Sequence, residues 1–521
     1  MPSPPTPGSG TIFAAVILLS ACAALATYLG RRSPRAWAVP AAIALLCFGF
    51  ALAYDSFLPD DSYITYRYSQ NLLAGHGMVF NLGERVLSTT TPLYTLLLVA
   101  AGVVWPDLPT TSHILSLAAL FGGAMALYAL LARHGKAVAG LMLAALYILN
   151  PLTAAVYSSE SILHVALIFG VFLAYDQGRL NLAAALAALA VLNRGDGALV
   201  AVALGLHWLL TGGLRAGRGR ALRALAVYAT ISLPWYFFSA LYYGSLAPAT
   251  LSAKIAQGEL PNAPLFGPGI GIWWMAYAGQ NPVYWLIPPL ALLGLLLVFP
   301  RNGDRWAAPT VLWGGLYTVG YILLGVTRYQ NYYTPLAPAL LLLTMLGAHW
   351  FGVALASIPR HALRTPHSAL RNTPFAPLIL GIAIAAGFFV TGAGLYQRLP
   401  QPRAVIDEQV GRWLKQNTPA GASVGMLEVG VMGYYAERRV IDFYGLLQPD
   451  VAQHLARNDG GWAPRHYQPD YIVMHPPLLV QFFPPGDTWF TDHYRPVQTF
   501  ENARCVELAT NCSPMVIYER K

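Results

Sequence analysis

The sequence predicts a polytopic α-helical membrane protein with a small soluble α/β domain at its C-terminal end. Three observations predict it. Hydrophobic residues make up 56% of the 521 positions and charged residues only 11%, where a soluble globular chain carries about 25%. The apolar residues collect into runs long enough to cross a bilayer. After about residue 397 the composition turns charged and proline-rich, and no such run recurs.

Twelve spans are predicted, at 11–30, 37–54, 112–132, 137–150, 156–175, 180–192, 197–211, 222–243, 283–300, 308–325, 333–356 and 376–396. The opening "MPSPPTPGSG" has no positive n-region, so the first run reads as a retained helix rather than a cleaved leader. The basic loops "RRSPR", "RHGK", "DQGR", "RAGRGRALR", "RNGDR" and "PRHALRTPHSALR" then fall on one side, the cytoplasmic one. That topology accounts for the formal charge of +9 without nucleic acid as a partner. Residues 92–105 are short for a crossing and read as an interfacial helix. The chain divides into a membrane part, 1–396, with an outer loop at 55–111, and an outer-side domain, 397–521. In that domain "ASVGMLEVG", "RRVIDFYGLL", "PDYIVMH" and "SPMVIYER" read as strands. The glycines of "VGMLEVGVMGYYAERR" read as turn-makers. Cys22 and Cys47 lie in spans and read as packing. Cys505 and Cys512, on the outer side, are expected to pair in an oxidising compartment.

The chemistry concentrates on the outer side. "FLPDDSYITYRYSQNLLAGHG" opens a helix at Pro59–Asp60 and closes it at Gly75. Asp60 and Asp61 then sit at its positive end, which favours the ionised state a general base needs. The bland alternative is a helix cap beside a solvated neighbour. Tyr63 and Arg67 on the same helix, and His76 in the glycine turn after it, are candidate substrate contacts. Glu84 and Arg85 are expected to pair with each other. "LNRGDGALV" places Arg194 and Asp196 in apolar surroundings, where the partner of Arg194 is Asp196 as a structural ion pair, Glu160 of "VYSSESILH" or a bound phosphate. Lys254 closes "YYGSLAPATLSAK", where it either snorkels to lipid or holds a phosphate. Arg328, in "TRYQNYYTPLAPAL", lies outside against the positive-inside trend. Carboxylates among cations at a membrane–water boundary suit group transfer from a lipid phosphate. The cations stabilise the leaving group, and a carboxylate takes the proton of an incoming hydroxyl.

The ordered segments "DDSYITYRYSQNLLAGHGMVFNLGERV", "TTTPLYTLLL", "YSSES", "LNRGDGAL", "YYGSLAPATLSAK" and "TRYQNYYTPLAPAL" resemble the GT-C integral-membrane glycosyltransferases. Within them the chain is similar to the group that contains the mycobacterial terminal arabinofuranosyltransferases. The resemblance covers most of the chain. It implies a bacterial inner-membrane enzyme that uses a polyprenyl-phosphate sugar donor and an outer-side glycan, lipid or protein acceptor. It assigns Asp60 and Asp61 to the acidic pair, with Asp60 favoured as base or acceptor-orienting group. Lys254 matches the lysine of a P-x-T-x-x-x-K stretch. Arg194 and Asp196 match an Arg-Pro-acid motif, with Gly195 in place of proline. Glu160 matches a Gly-x-Glu motif, with Ser158 in place of glycine. A divalent cation (Mg²⁺, Mn²⁺ or Ca²⁺) is left open, with Asp60, Asp61 and Glu160 as its oxygen ligands. The rival readings are a transporter of lipid-linked sugars, with charges along a crossing path, and a non-catalytic glycan-assembly protein that tolerates loss of both loop acids.

Overall fold

A computed structural model describes residues 37–57, 59–260, 263–300, 303–357, 375–507 and 513–521. The first expected span and Cys512 lie outside the described residues. Cys505 is buried and disulfide-bonded, and Cys47 is a buried free thiol.

The other eleven expected spans all fall on helices. Among the described residues five helical stretches are long and apolar enough to cross a membrane: Leu108–Ala132, Gly217–Tyr243, Arg305–Leu324, Gln330–Leu355 and Phe375–Tyr396. Shorter apolar helices pack among them. In chain order the bundle runs α1 (Ala38–Ala53), α2 (Asp60–Leu73), α3 (Pro92–Gly102), α4 (Leu108–Ala132), α5 (Ala137–Leu149), α6 (Glu160–Asp176), α7 (Leu180–Asn193), α8 (Ala198–Leu210), α9 (Gly213–Tyr243), α10 (Ala249–Glu259), α11 (Phe266–Gln280), α12 (Ile287–Val298), α13 (Ala308–Leu324), α14 (Leu336–Ser357) and α15 (Phe375–Tyr396). α3 is the expected short helix after the first loop. α9 is kinked at Gly217, which takes a φ of 149° open only to glycine. α10 and α11 are additional helices. Pro268 and four glycines in "FGPGIGIWWMAYAGQ" hide α11 in the sequence.

Helices in lipid associate through close packing rather than exclusion of water, so small residues mark their contacts. α12 and α14 illustrate this. A side chain at Gly294 would strike the Leu343 carbonyl, and one at Gly347 the Leu290 carbonyl.

After α16 (Pro402–Asn417) comes a five-stranded sheet. Its strands are β1 (Ser423–Met426), β2 (Arg439–Asp442), β3 (Tyr471–Met474), β4 (Tyr494–Phe500) and β5 (Met515–Arg520), in the order β2-β1-β3-β5-β4. The first three are parallel, and β5 and β4 add antiparallel. The four expected strands are all present. β4 is a further one, at the sheet edge, with a register shift beside Pro496. Proline is tolerated only at such edges and bulges.

The domain sits on α2 and α10. Ile64 and Tyr68 of α2, Phe80 of the following loop, and Ala253 and Ala256 of α10 share one apolar core with Val424, Met432, Leu446 and Ala452. The glycines read as turn-makers serve this contact instead. Gly430 and Gly433 flank and enter the short helix α17 (Val431–Ala436). A side chain at Gly430 would collide with the Asp60 backbone carbonyl, and one at Gly433 with the Phe80 ring. Glu84 bonds Arg439 at 2.6 Å, and Arg85 lies over the Tyr242 ring, so the two do not pair with each other. Gly430→Val is expected to destabilise the docked domain by about 1–3 kcal/mol, the usual cost of overpacking. A fall in Tm with faster proteolysis between α15 and β1 would register it.

Candidate active site

The site forms where α2, α10, the segment before α14 and the sheet domain meet. α2 begins where expected. Pro59 is extended, and Asp60 and Asp61 occupy the first helical turn. The tight turn after it uses Gly75 at a φ of 79°. The two acids then diverge. Asp60 is half-buried, and its Oδ1 accepts the Val431 N–H at 2.7 Å. Asp61 is exposed and lies on the side of Lys254.

Burial pushes the Asp60 carboxyl up to about 7. The Val431 N–H opposes the rise, and the Asp61 and Glu428 charges add to it. Behind it, burial raises Asp407 to about 8, against the pull of Arg403. Arg403 joins this group by ion pairs, at 3.1 Å to Asp407 and 2.7 Å to Glu428. Asp60 is therefore a carboxylate fixed by a backbone donor and poised to exchange a proton near neutrality.

On the other side, Lys254 Nζ stands 3.6 Å from the centre of the Tyr329 ring. Burial works to lower its pKa. The Asp61 charge and the tyrosines Tyr329 and Tyr332 outweigh burial and raise it, so the ammonium is kept charged. Tyr332 lies within the electrostatic reach of Lys254, Arg194 and Asp61 together. Asp442 of β2 completes this wall. Its carboxylate accepts the Tyr444 N–H at 2.8 Å and the Leu447 N–H at 3.2 Å, and also accepts the Leu446 N–H. Burial still raises it to about 6.

A third group is buried between α6, α7 and α13. Arg194 bonds Glu160 at 3.2 Å and Asp196 at 2.9 Å. Asp196 is also met by His164 at 3.0 Å, by the Tyr321 hydroxyl at 2.6 Å and by the Tyr317 hydroxyl at 3.2 Å. These partners suit a buried charge, which is tolerated only when paired and hydrogen-bonded. The two departures from the resembled motifs have local explanations. Arg194 is extended, with φ −154° and ψ 137°, the shape a following proline would enforce. Gly195 keeps that shape and opens the turn Gly195–Gly197. Ser158 has a φ of 64°, where glycine costs nothing and other residues cost about 1–2 kcal/mol. Its carbonyl accepts from Tyr66 at 2.7 Å and Ser112 at 2.9 Å, which holds it there.

The remaining expected contacts lie elsewhere. Tyr63 is buried against Tyr434 and Tyr435 in the domain contact. Arg67 is buried with its Nη1 on Gln70 at 2.9 Å. His76 is exposed beyond the end of α2. Arg328 packs under Gly269 of α11, and its Nη1 has no partner among the described residues. The cation ligand set does not assemble either. Asp60 is bound to Val431 and Glu160 to Arg194. Among the described residues no three His, Cys, Asp or Glu side chains converge as metal ligands. Tyr329, Tyr332, His164, Tyr317, Tyr321 and Asp442 were not singled out in the sequence. The only available signal was the tyrosine-rich run at 329–333.

Comparison of the whole chain with solved structures decides the fold. It superposes on ArnT from Cupriavidus metallidurans bound to undecaprenyl phosphate with a TM-score of 0.58 and 13% identity, covering 93% of this chain and 98% of that one. The chain has the GT-C membrane fold. The oligosaccharyltransferase of Archaeoglobus fulgidus, tethered to an acceptor peptide, gives a TM-score of 0.52 at 12% identity, over 84% of this chain and 69% of that one. In sequence, 304 residues are 30% identical to the terminal β-(1→2)-arabinofuranosyltransferase of Mycobacterium tuberculosis, covering 53% of this chain and 46% of the relative. The match thus spans about half the length of that curated relative. Residues 395–517 match a family described as a domain of unknown function (DUF8728). A GT-C fold makes this a multi-pass membrane protein with the sheet domain as its appendage.

Proposed function

We propose that this GT-C protein is a membrane glycosyltransferase that moves a sugar from a polyprenyl phosphate to an acceptor hydroxyl on the sheet-domain side. One observation carries the reading: Asp60, anchored by Val431 and poised near 7, stands one residue from an acid that faces a permanently charged lysine. The arabinofuranosyltransferase relative and the lipid phosphate bound to ArnT support the same chemistry.

In this reading the acceptor oxygen attacks the anomeric carbon, and the bond from that carbon to the phosphate oxygen breaks. The hydroxyl proton passes to Asp60. A carboxylate has about four lone-pair sites, so the Val431 contact leaves room for a substrate hydroxyl. The phosphate departs on its lipid with its growing charge met by Lys254. Asp61 orients Lys254, and Tyr329 and Tyr332 supply flat faces and hydroxyls beside the sugar. Glu160, Arg194 and Asp196 hold the adjoining floor in shape.

The test is acceptor-dependent release of free polyprenyl phosphate from a polyprenyl-phosphate sugar by the full chain in membranes. Absence of release with every glycan, lipid and protein acceptor offered would reject the reading. The proton role adds a sign. Asp60 accepts a proton only when ionised, so kcat/KM should rise with pH and level off above about 7. A profile flat between pH 5 and 8 would exclude Asp60 as base.

A further inference from the structure

A cavity of about 310 Å³, lined by Gln330 but not by Lys254, opens where α1 and α15 end against the sheet domain. Its walls come from Tyr54, Phe57, Leu395 and Leu399, and its polar groups include Arg398 and Arg403. The Tyr54 hydroxyl donates to the Gly392 carbonyl at 2.9 Å, which ties the two helix ends together and fixes that wall.

The charges in this cavity are unequal. Arg403 is neutralised by Asp407 and Glu428. Arg398 is exposed and has no ion pair among the described residues. Among the described residues no carboxylate lines the cavity. An isolated guanidinium beside an apolar wall selects an anion carried on an apolar body, because its planar donors match phosphate oxygens. The volume is at the lower end of small-ligand pockets, enough for a phosphate head but not for a whole lipid. The apolar helices α1 and α15 run from the cavity mouth along the bundle, where acyl chains would lie.

We infer that this cavity is a binding site for the anionic headgroup of a membrane phospholipid, separate from the Lys254 side, with Arg398 as its phosphate ligand. The lipid headgroup lies on the Asp60 side of α2, because Arg403 belongs both to the cavity wall and to the Asp407–Glu428 pair behind Asp60. The inference concerns binding and stands whether or not the chain transfers sugar.

The experiment uses the purified full chain in neutral detergent, titrated with phosphatidylglycerol, phosphatidylcholine or inorganic phosphate. Native mass spectrometry reads the bound lipid, and Tm reads the fold. Phosphatidylglycerol should bind saturably and phosphatidylcholine should not. Arg398→Gln should weaken phosphatidylglycerol about ten- to hundredfold, the range for losing a charge-assisted hydrogen-bonding partner. Its Tm in phosphatidylcholine should equal that of the unmodified chain. Ala155→Trp, which fills the cavity from a second wall without touching charge, should block binding as well. Equal binding of both lipids, or undiminished binding in Arg398→Gln, would overturn the inference. Inorganic phosphate competing at the lipid's own concentration would also overturn it, since the site would then recognise a free anion.

Discussion

Lys254→Met slows release of polyprenyl phosphate by about 10²–10³-fold, the usual loss for a positioned donor to a developing negative charge. Methionine keeps most of the length and apolar stem of lysine and removes only the ammonium. The α10 face that packs on the sheet domain, Ala253 and Ala256, is untouched. Tm should therefore change little. The loss should appear mainly in kcat, since phosphate charge grows as the bond to the sugar breaks. Lys254→Arg tests placement. Its guanidinium is larger and planar, and the Tyr329 ring stands 3.6 Å from the lysine nitrogen. Partial activity is expected, and full activity in Lys254→Met would remove the lysine from the mechanism.

Asp60→Asn lowers transfer by about 10²–10⁴-fold, the contribution of a positioned general base. The substitution is informative because Asp60 has two tasks. Its Oδ1 accepts the Val431 N–H, which anchors α17 of the sheet domain. An asparagine carbonyl can accept the same hydrogen bond, so the domain stays docked while the proton acceptor is gone. Asp61→Asn should behave differently. It removes the charge that faces Lys254 and should reduce transfer by weakening that ammonium's placement, and because the Asp61 charge also helps hold Asp60 up, the rise of kcat/KM should move to lower pH.

Much of the fold around the site is legible in the sequence. α2 starts at Asp60 because proline and two acids mark a helix N-terminus, and it ends where Gly75 supplies a positive φ. Charges in apolar sequence leave Asp196, Glu160 or a phosphate open as the partner of Arg194, and the fold brings both carboxylates to it. What remained hidden depends on distant segments meeting. His164, Tyr317 and Tyr321 look like ordinary residues of apolar helices until Asp196 draws them together. Tyr63 and Arg67 looked available to a substrate because the sequence does not show that α17 covers them. Gly430 looked like a turn residue because the Asp60 backbone that crowds it lies about 370 positions earlier in the chain. Proline hid β4, and glycine with proline hid α11, because local signals of breaking outweighed those of forming.

The most direct measurement sets Asp60→Asn beside Asp60→Ala in the full chain, reading both polyprenyl phosphate release and Tm. Both variants should lose transfer, while Asn keeps the Tm of the unmodified protein and Ala, with no acceptor for the Val431 N–H, melts lower. Undiminished release in Asp60→Asn would contradict the account, because a side chain that takes no proton would then be doing the work assigned to a base.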